Sequence, residues 1–385
     1  MNETHATKYL ESLPRTTPPN TAERERRLLA ALGDPQKKTY WIKIIGEAGK
    51  SSASSLLASL FKQGGISAGC VSLSPTKEPR TAIRIDKEPP SHAAFAAALT
   101  RAWSAAREIG LANPTYEEML LATALTLFAE RRCRVAVIQL NAAPSAASAL
   151  AAPQLCLFTS ASKETAAALA PLIDTPQDLV SAPLEPDVYR LLTERAAATH
   201  CRFSFPTKND MGETAVENGV LRFTYRKISF SLPTSALYQK NNALAVIEAH
   251  RALVRQGFRL SDKHLHEALA TFSSPLCFRV FSLSPLWLID AADSPFRLSA
   301  LAEALAALPR GLDVPFPVWV EAHLADAAQT ALGAHALTLV PMEKESLRRT
   351  VKKNKPPMDA PLLVVGSKAF ANEALRALND LFLYC

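Results

Sequence analysis

The sequence lacks any apolar run near the roughly 20 residues that a membrane-spanning helix needs. Its first stretch, Met1–Leu13, carries charged residues instead of a hydrophobic segment, so we predict neither a signal peptide nor a usual transit peptide there. None of the six cysteines forms a CxxC pair, which favours buried free thiols in a reducing compartment. We therefore expect a cytoplasmic protein without a membrane partner.

Aromatic residues make up only 7% of the chain, and none lies within the basic run Arg348–Lys355. We therefore expect no nucleic-acid partner, because single-stranded nucleic acids are bound largely by aromatic side chains on which bases stack. The basic run is predicted to be a solvated helix end and loop, with an anion site as the alternative. The formal net charge of +7 favours anionic ligands only mildly.

The chain does contain a sizeable apolar fraction, 48% of its 385 residues, with 21% charged residues. This balance is typical of a globular protein, and the length predicts two domains. Short apolar runs rich in β-formers alternate with helical patterns, which predicts an α/β fold with a mostly parallel sheet. The first predicted strands are Tyr40–Ile45, Ala68–Leu73, Val135–Ile138 and Leu155–Phe158, and the helices between them cover 51–63, 92–109 and 116–130.

The second half of the chain changes pattern. Residues 202–232 contain two runs that alternate with period two, which predicts a small antiparallel insert. Strand and helix patterns then resume, with a boundary near Ser282–Pro285. We predict an N-terminal domain at 1–282 that carries the insert, and a smaller Rossmann-like α/β domain at 283–385. The strands predicted in the smaller domain are Trp287–Asp290, Pro317–Val320, Ala336–Val340 and Leu362–Val365.

A glycine-containing loop, Gly46–Ser52, lies between the first predicted strand and a helix. Glycines let backbone N–H groups approach phosphate oxygens, and a helix N-terminus adds positive potential. Lys50 is placed to reach terminal phosphates, and the Ser52 hydroxyl to take a Mg²⁺ position. The alternative is a strand-to-helix turn with an incidental lysine. Glu47 would repel phosphates unless its carboxylate points away or pairs with a lysine.

With this loop, the sequence resembles the folylpolyglutamate synthase and dihydrofolate synthase branch of the Mur ligase superfamily. The loop matches that family's GTNGKGS at Gly46, Gly49, Lys50 and Ser52. Further blocks occur in the same order along nearly the whole chain. They are Tyr9–Lys38, Ser74-Pro75 with Ile83–Ile85, Pro114–Val137, Gln239 with Asn242–Ala245, Asp290–Pro295 where the family has DGAHNP, and Pro361–Ser367.

The resemblance implies an ATP-dependent amide ligase in which ATP phosphorylates a folate or pteroate carboxylate and the amine of glutamate attacks the acyl phosphate. It implies ATP and Mg²⁺ as cofactors and small-molecule partners, and we expect a monomer. The implied catalytic residues are Lys50 and Arg279. The implied nucleotide-binding residues are Gly46, Gly49, Lys50, Ser51, Ser52, Asn242, Arg279 and Asp290, with Asn242 beside the adenine. The implied metal ligands are Ser52, Ser74 and, weakly, Gln139.

The sequence departs from the family at several positions that carry the chemistry. Gln139 replaces a metal-binding glutamate, which keeps a carbonyl oxygen but removes a full negative charge. A histidine ligand becomes Thr165, and the lysine that is normally carbamylated becomes Ala170. Further family histidines are replaced by Thr76, Tyr238 and Asp293. A shift of a few residues in the ungapped alignment is the alternative explanation at 139 and 170, and Glu164 is the alternative ligand.

These departures leave two functions open. The first is the active ligase that the resemblance implies. The second is a catalytically degenerate paralogue that retains the fold, with or without nucleotide binding, and acts as a binding or regulatory protein. Phosphoryl transfer depends on positioning and on neutralising charge, so the lost charges bear directly on this choice.

Overall fold

The protein is described from a computed structural model. The structure describes residues 2–16, 18, 20–74, 76, 78–140, 145–150, 153–274, 276–307, 316–333, 337–344, 347, 349, 351 and 360–382. The chain divides into two compact units. Unit 1 comprises Met1–Met211 and Asn241–Phe272, and unit 2 comprises Gly212–Lys240 and Ser273–Cys385.

Unit 1 is built on a seven-stranded sheet. Its strands are β1 (Tyr40–Ile45), β2 (Ala68–Ser72), β3 (Ile83–Ile85), β4 (Val135–Gln139), β5 (Leu155–Phe158), β6 (Asp178–Ser181) and β7 (Arg202–Ser204). The strand order is β3-β2-β4-β1-β5-β6-β7, and every neighbouring pair is parallel except β2 with β3. The central strand β1 is apolar apart from Lys43 and is almost wholly buried, as a parallel strand covered on both faces requires.

Helices cover this sheet. They are α1 (Glu3–Ser12), α2 (Thr21–Ala31), α3 (Lys50–Gln63), α4 (His92–Glu108), α5 (Tyr116–Glu130), α6 (Lys163–Leu169), α7 (Pro186–Ala198), α8 (Gln239–Arg255) and α9 (Asp262–Ala270). The boundaries follow local chemistry: Thr115 and Glu118 form a reciprocal capping box that starts α5. One continuous apolar core packs against this sheet and includes Trp41, Phe95, Leu120 and Phe158.

Unit 2 contains two sheets. A three-stranded sheet is formed by β8 (Met211–Glu217), β9 (Val220–Tyr225) and β10 (Ile228–Leu232), with β9 and β10 antiparallel. A five-stranded sheet has the order β11-β12-β15-β13-β14 and is parallel apart from β11. Its strands are β11 (Arg279–Leu283), β12 (Leu286–Asp290), β13 (Phe316–Glu321), β14 (Leu337–Met342) and β15 (Leu362–Val365), and its helices are α10 (Pro295–Ala306), α11 (Ala325–Leu332) and α12 (Lys368–Phe382).

The predicted α/β class is confirmed, with a mostly parallel sheet in the first unit and a second, smaller sheet unit. The predicted boundaries at 282 and 283 need correction. Strand β11 pairs with β12, so Arg279–Leu283 completes the second sheet instead of ending the first domain. The antiparallel insert is also shorter than 202–232, because β7 at its start pairs with β6 in the large sheet. The remainder groups with unit 2, where Ala236 packs into the core with Phe278 and Leu288.

The predictions of free cysteines and of no membrane-spanning helix concern residues that the structure describes. All five cysteines there are free thiols, and Cys70, Cys133 and Cys156 are buried. None of the helices in those ranges combines the length and the apolarity of a bilayer-spanning segment. Of the basic run, Arg348, Lys352, Lys353 and Lys355 lie outside the described residues, as do Pro75 and Cys385.

Candidate phosphate-binding site

The loop between β1 and α3 requires glycine at two positions. Gly46 has a φ of +142°, and a Cβ there would lie 2.1 Å from Thr159 Oγ1. Gly49 has a φ of +88° and precedes the first residue of α3, and a Cβ there would lie 2.0 Å from Asn242 Oδ1. Both conformations are strained for any residue with a side chain. The two glycines of the sequence motif therefore shape the loop and admit close neighbours on both sides.

The segment after β5 braces this loop. The Glu47 and Ala48 N–H groups both donate to the Ser160 carbonyl, at 2.9 and 3.1 Å. The Thr159 N–H donates to the Ile45 carbonyl at 2.9 Å. These bonds connect the end of β1 to the end of β5. They also occupy the Glu47 and Ala48 N–H groups, which then do not point at a ligand. The positive potential offered to an anion therefore comes mainly from the start of α3, where the first-turn N–H groups point out of the helix end.

Glu47 does not point toward the predicted phosphate position. Its Oε2 accepts a hydrogen bond from the Ser162 N–H at 3.1 Å, at the residue that caps α6. A carboxylate at a helix N-terminus is stabilised by the unpaired N–H groups and the helix dipole. The carboxylate therefore holds the loop against α6. Of the two arrangements that would avoid repulsion of a phosphate, the one observed is a carboxylate that points away.

Lys50 folds back over the loop. Its Nζ donates to the Gly46 carbonyl at 2.5 Å and lies 3.4 Å from the Glu47 carbonyl. The ammonium group is thereby held above the same backbone that a polyphosphate would lie against. A bound phosphate would replace neutral carbonyl acceptors with charged ones, which form stronger hydrogen bonds with an ammonium donor. This position is consistent with the role that the sequence predicts for Lys50.

Gln139 lies at the end of β4, in register with Ile44 of β1 and Ser72 of β2. It is 8% exposed, and its Oε1 accepts from the Ser51 hydroxyl at 3.4 Å. The side chain is therefore directed at the first turn of α3. Ser52 is buried in the same turn, and Ser74 is half-buried after β2.

These residues do not fit a Mg²⁺ ion held by the protein. Mg²⁺ sites normally use one or two carboxylates together with substrate phosphates and water. The predicted ligands Ser52, Ser74 and Gln139 are all neutral. Within the described residues, no group of three or more His, Cys, Asp or Glu side chains could hold a metal ion. Glu164, the alternative ligand, is exposed in the first turn of α6.

The other substituted positions have structural roles of their own. The Thr165 N–H donates to the Ser162 hydroxyl at 3.3 Å, so this residue takes part in capping α6. Ala170 is buried at the end of the same helix. Asp293 forms an ion pair with Arg297 at 2.6 Å. None of these side chains lies in a set of metal ligands among the described residues.

Helix α8 brings Asn242 to the loop. Asn242 is 3% exposed and its side-chain oxygen lies against Gly49, as the close approach to that glycine shows. The other end of α8 is fastened to the sheet, where Arg255 pairs with Asp178 at 2.9 Å. The structure thus places Asn242 beside the predicted phosphate position, and its predicted contact with adenine stays a prediction.

The predicted residues Arg279 and Asp290 belong to unit 2. Arg279 is exposed at the start of β11, in register with Ile289. Asp290 is 4% exposed, and its Oδ2 accepts from the Tyr238 hydroxyl at 2.6 Å and from the Phe278 N–H at 2.7 Å. Burial raises the pKa of Asp290 to about 6, although these two hydrogen bonds and Arg297 act in the opposite direction. The Tyr238 hydroxyl, itself held neutral by burial, is the donor of this pair.

The structure thus brings together seven of the predicted site residues in unit 1, namely Gly46, Gly49, Lys50, Ser51, Ser52, Gln139 and Asn242. Sequence reasoning missed the bracing segment Thr159–Ser162, whose contribution is mostly a backbone carbonyl and an N–H group and leaves no residue signature. It also missed Lys43, a buried lysine on β1 that pairs with Asp174 at 2.6 Å. A lysine inside an otherwise apolar strand was the available signal for that pair.

No family model matches the chain. It is 25% identical to a folylpolyglutamate synthase of Lacticaseibacillus casei over 331 residues, which cover 80% of this chain and 77% of that protein. It is 26% identical over 337 residues to a probable bifunctional folylpolyglutamate synthase/dihydropteroate synthase of Halobacterium salinarum, covering 80% of this chain and 40% of that protein.

Solved structures show the same fold. The folylpolyglutamate synthetase from Lactobacillus casei superposes with a TM-score of 0.82 at 24% identity, over 98% of this chain and 100% of that one. A folylpolyglutamate synthase of Mycobacterium tuberculosis, complexed with ADP and AMPPCP, gives 0.78 at 20% identity, over 98% and 99%. The chain therefore resembles folylpolyglutamate synthases in sequence and in fold, as the sequence motifs predicted.

Proposed function

We propose that this chain binds ATP at the Gly46–Ser52 loop and uses it, as folylpolyglutamate synthases do, to join glutamate to a folate or pteroate carboxylate. The observation that carries the proposal is the geometry of Lys50. The residue starts α3 directly after the buried central strand, and its Nζ is held over the loop by the Gly46 carbonyl. The relatives named above support the ligase class, and a related complex solved with AMPPCP and folate supports the substrates.

The reaction proceeds in two steps. A carboxylate oxygen of the folate attacks the γ-phosphorus of ATP, and the bond from that phosphorus to the β,γ-bridging oxygen breaks, which yields an acyl phosphate and ADP. The amine of glutamate then attacks the acyl carbon, the bond from carbon to the phosphate oxygen breaks, and an amide, inorganic phosphate and a proton to solvent result. Lys50 and the start of α3 stabilise the negative charge on the transferring group.

The test is ADP release by the purified full chain with ATP, glutamate and a set of folate and pteroate substrates. Lys50→Ala should weaken ATP binding about ten- to a hundredfold, because a hydrogen bond between charged groups contributes about 1.5–3 kcal/mol. Lys62→Ala is the matched control, since Lys62 is an exposed lysine in the last turn of the same helix. ADP release that needs neither substrate, or that is equal in the wild type and Lys50→Ala, would contradict the proposal.

The neutral donor set around Gln139 favours a second candidate, a catalytically degenerate paralogue that binds nucleotide without ligating. This candidate predicts heat of ATP binding in calorimetry, and its loss in Lys50→Ala, without substrate-dependent ADP release. The absence of both binding and ADP release would refute the two candidates together.

A further inference from the structure

We propose that this chain binds the polyphosphate of a nucleoside triphosphate without a divalent cation held by the protein, and that Gln139 is the residue that makes the site independent of the metal. The inference rests on the nucleotide binding proposed above. It goes further by assigning the charge state of the ligand that the site takes.

The first observation is the position of Gln139. It ends a strand that lies directly beside β1, it is buried, and its amide oxygen faces the Ser51 hydroxyl in the first turn of α3. A carboxylate at this place would put a negative charge beside the phosphates. It would repel them unless a divalent cation lay between. A neutral amide removes that repulsion, and with it the need for the cation.

The second observation is that the loop's own carboxylate, on Glu47, points away from the phosphate position and accepts a hydrogen bond from another helix. Glu47 accepts from the Ser162 N–H at the start of α6, so its charge is balanced by that helix end instead of by a metal ion. The described residues contain no group of three or more His, Cys, Asp or Glu side chains that could hold a metal ion instead. The charge around the loop is thus supplied by Lys50 and by the N-terminus of α3, both of which attract a free polyphosphate directly.

Calorimetry with ATP, in buffers that contain either excess Mg²⁺ or EDTA, tests the proposal on the full chain. We expect the wild-type dissociation constants in the two buffers to agree within about threefold, because the described residues provide no charged cluster that would hold the cation at the site. Gln139→Glu should bind at least about tenfold more weakly than the wild type in EDTA, and Mg²⁺ should restore binding, because the new carboxylate repels bare phosphates and attracts the cation.

Gln63→Glu is the matched control, since it makes the same charge change at the far end of α3. It should behave as the wild type does in both buffers. Circular dichroism and thermal melting check that each variant is folded. The comparison of wild-type binding in Mg²⁺ and in EDTA does not depend on the folding of any variant.

Wild-type binding that weakens tenfold or more in EDTA would overturn the inference and leave the proposed nucleotide binding intact. Equal binding of Gln139→Glu and the wild type in EDTA would also overturn it, because residue 139 would then not reach the phosphates. A wild type that binds ATP in neither buffer would instead refute the proposed function itself, so the two failures are distinguishable.

Discussion

In unit 2, the buried carboxylate of Asp290 should lower the free energy of unfolding as the pH rises, and replacement of Asp290 with asparagine should abolish this decrease. The carboxylate is buried, its pKa is raised from 3.8 to about 6, and the main cause is loss of solvation. Because the folded state holds this proton more tightly than the unfolded state, the free energy of unfolding falls as the pH rises from about 4 to about 6 and stays low above that. The difference of about two pH units corresponds to about 3 kcal/mol.

Asparagine suits this test because both observed donors, the Tyr238 hydroxyl and the Phe278 N–H, meet the same carboxylate oxygen. An amide oxygen in that place accepts both bonds but carries no charge. The stability of Asp290→Asn relative to the wild type should therefore rise by up to about 3 kcal/mol between pH 4 and pH 7. The neighbouring charges, Arg297 and Asp293, are the same in both proteins and cancel in the comparison.

Urea unfolding at a series of pH values measures this difference. The signal should come from unit 2 alone, so Trp41→Phe and Trp103→Phe are introduced into both proteins, which leaves the fluorescence of Trp287 and Trp319 on β12 and β13. A relative stability that stays constant from pH 4 to pH 7 would refute the reasoning, because it would mean that the Asp290 pKa is the same in the folded and unfolded chains.

Two further substitutions test the packing of unit 1. Gly49→Ala should lower both the melting temperature and the affinity for ATP, because its Cβ would lie 2.0 Å from Asn242 Oδ1 and the residue has a positive φ. A melting temperature and an ATP affinity equal to those of the wild type would contradict this close approach of Asn242 to Gly49. Glu25→Leu should raise the free energy of unfolding at pH 7 by about 1–3 kcal/mol, because a buried polar group that lacks a partner carries a cost of that size. Both carboxyl oxygens of Glu25 are buried and have no hydrogen-bond partner among the described residues. Burial, followed by the nearby charges of Glu118 and Glu117, raises the pKa of Glu25 well above the usual value. Urea unfolding that shows a less stable Leu variant would contradict this.

Periodicity predicted the elements of unit 1 that are strongly apolar or strongly helical. The bounds of β1 agree with the prediction at both ends, and α5 begins and ends where its pattern does. Periodicity does not predict strand β6, because its four residues include only two apolar ones, between Asp178 and Ser181. Strand β7 was assigned to the insert because its sheet partner β6 was not recognised, and pairing between strands is not contained in a local pattern.

The site was predictable where it depends on residue types at a fixed spacing. Gly46, Gly49 and Lys50 lie where a strand, a loop and a helix N-terminus require them, and the structure agrees. The direction of the Glu47 side chain could not be predicted, because it depends on Ser162, which is brought near by the pairing of β1 with β5. The pair of Asp290 with Tyr238 likewise joins residues 52 positions apart in the sequence, and no spacing rule connects them.

The division of the chain between the two units has a practical consequence for limited proteolysis and for fragment expression. The polypeptide crosses from one unit to the other three times, after residues 211, 240 and 272. Cleavage at any one crossing leaves the units covalently joined through the others, so no single cut releases either of them. A fragment that ends at 272 would carry residues 212–240 without the core into which Ala236 packs. Dissection of this protein therefore requires excision of an internal segment together with removal of the C-terminal part.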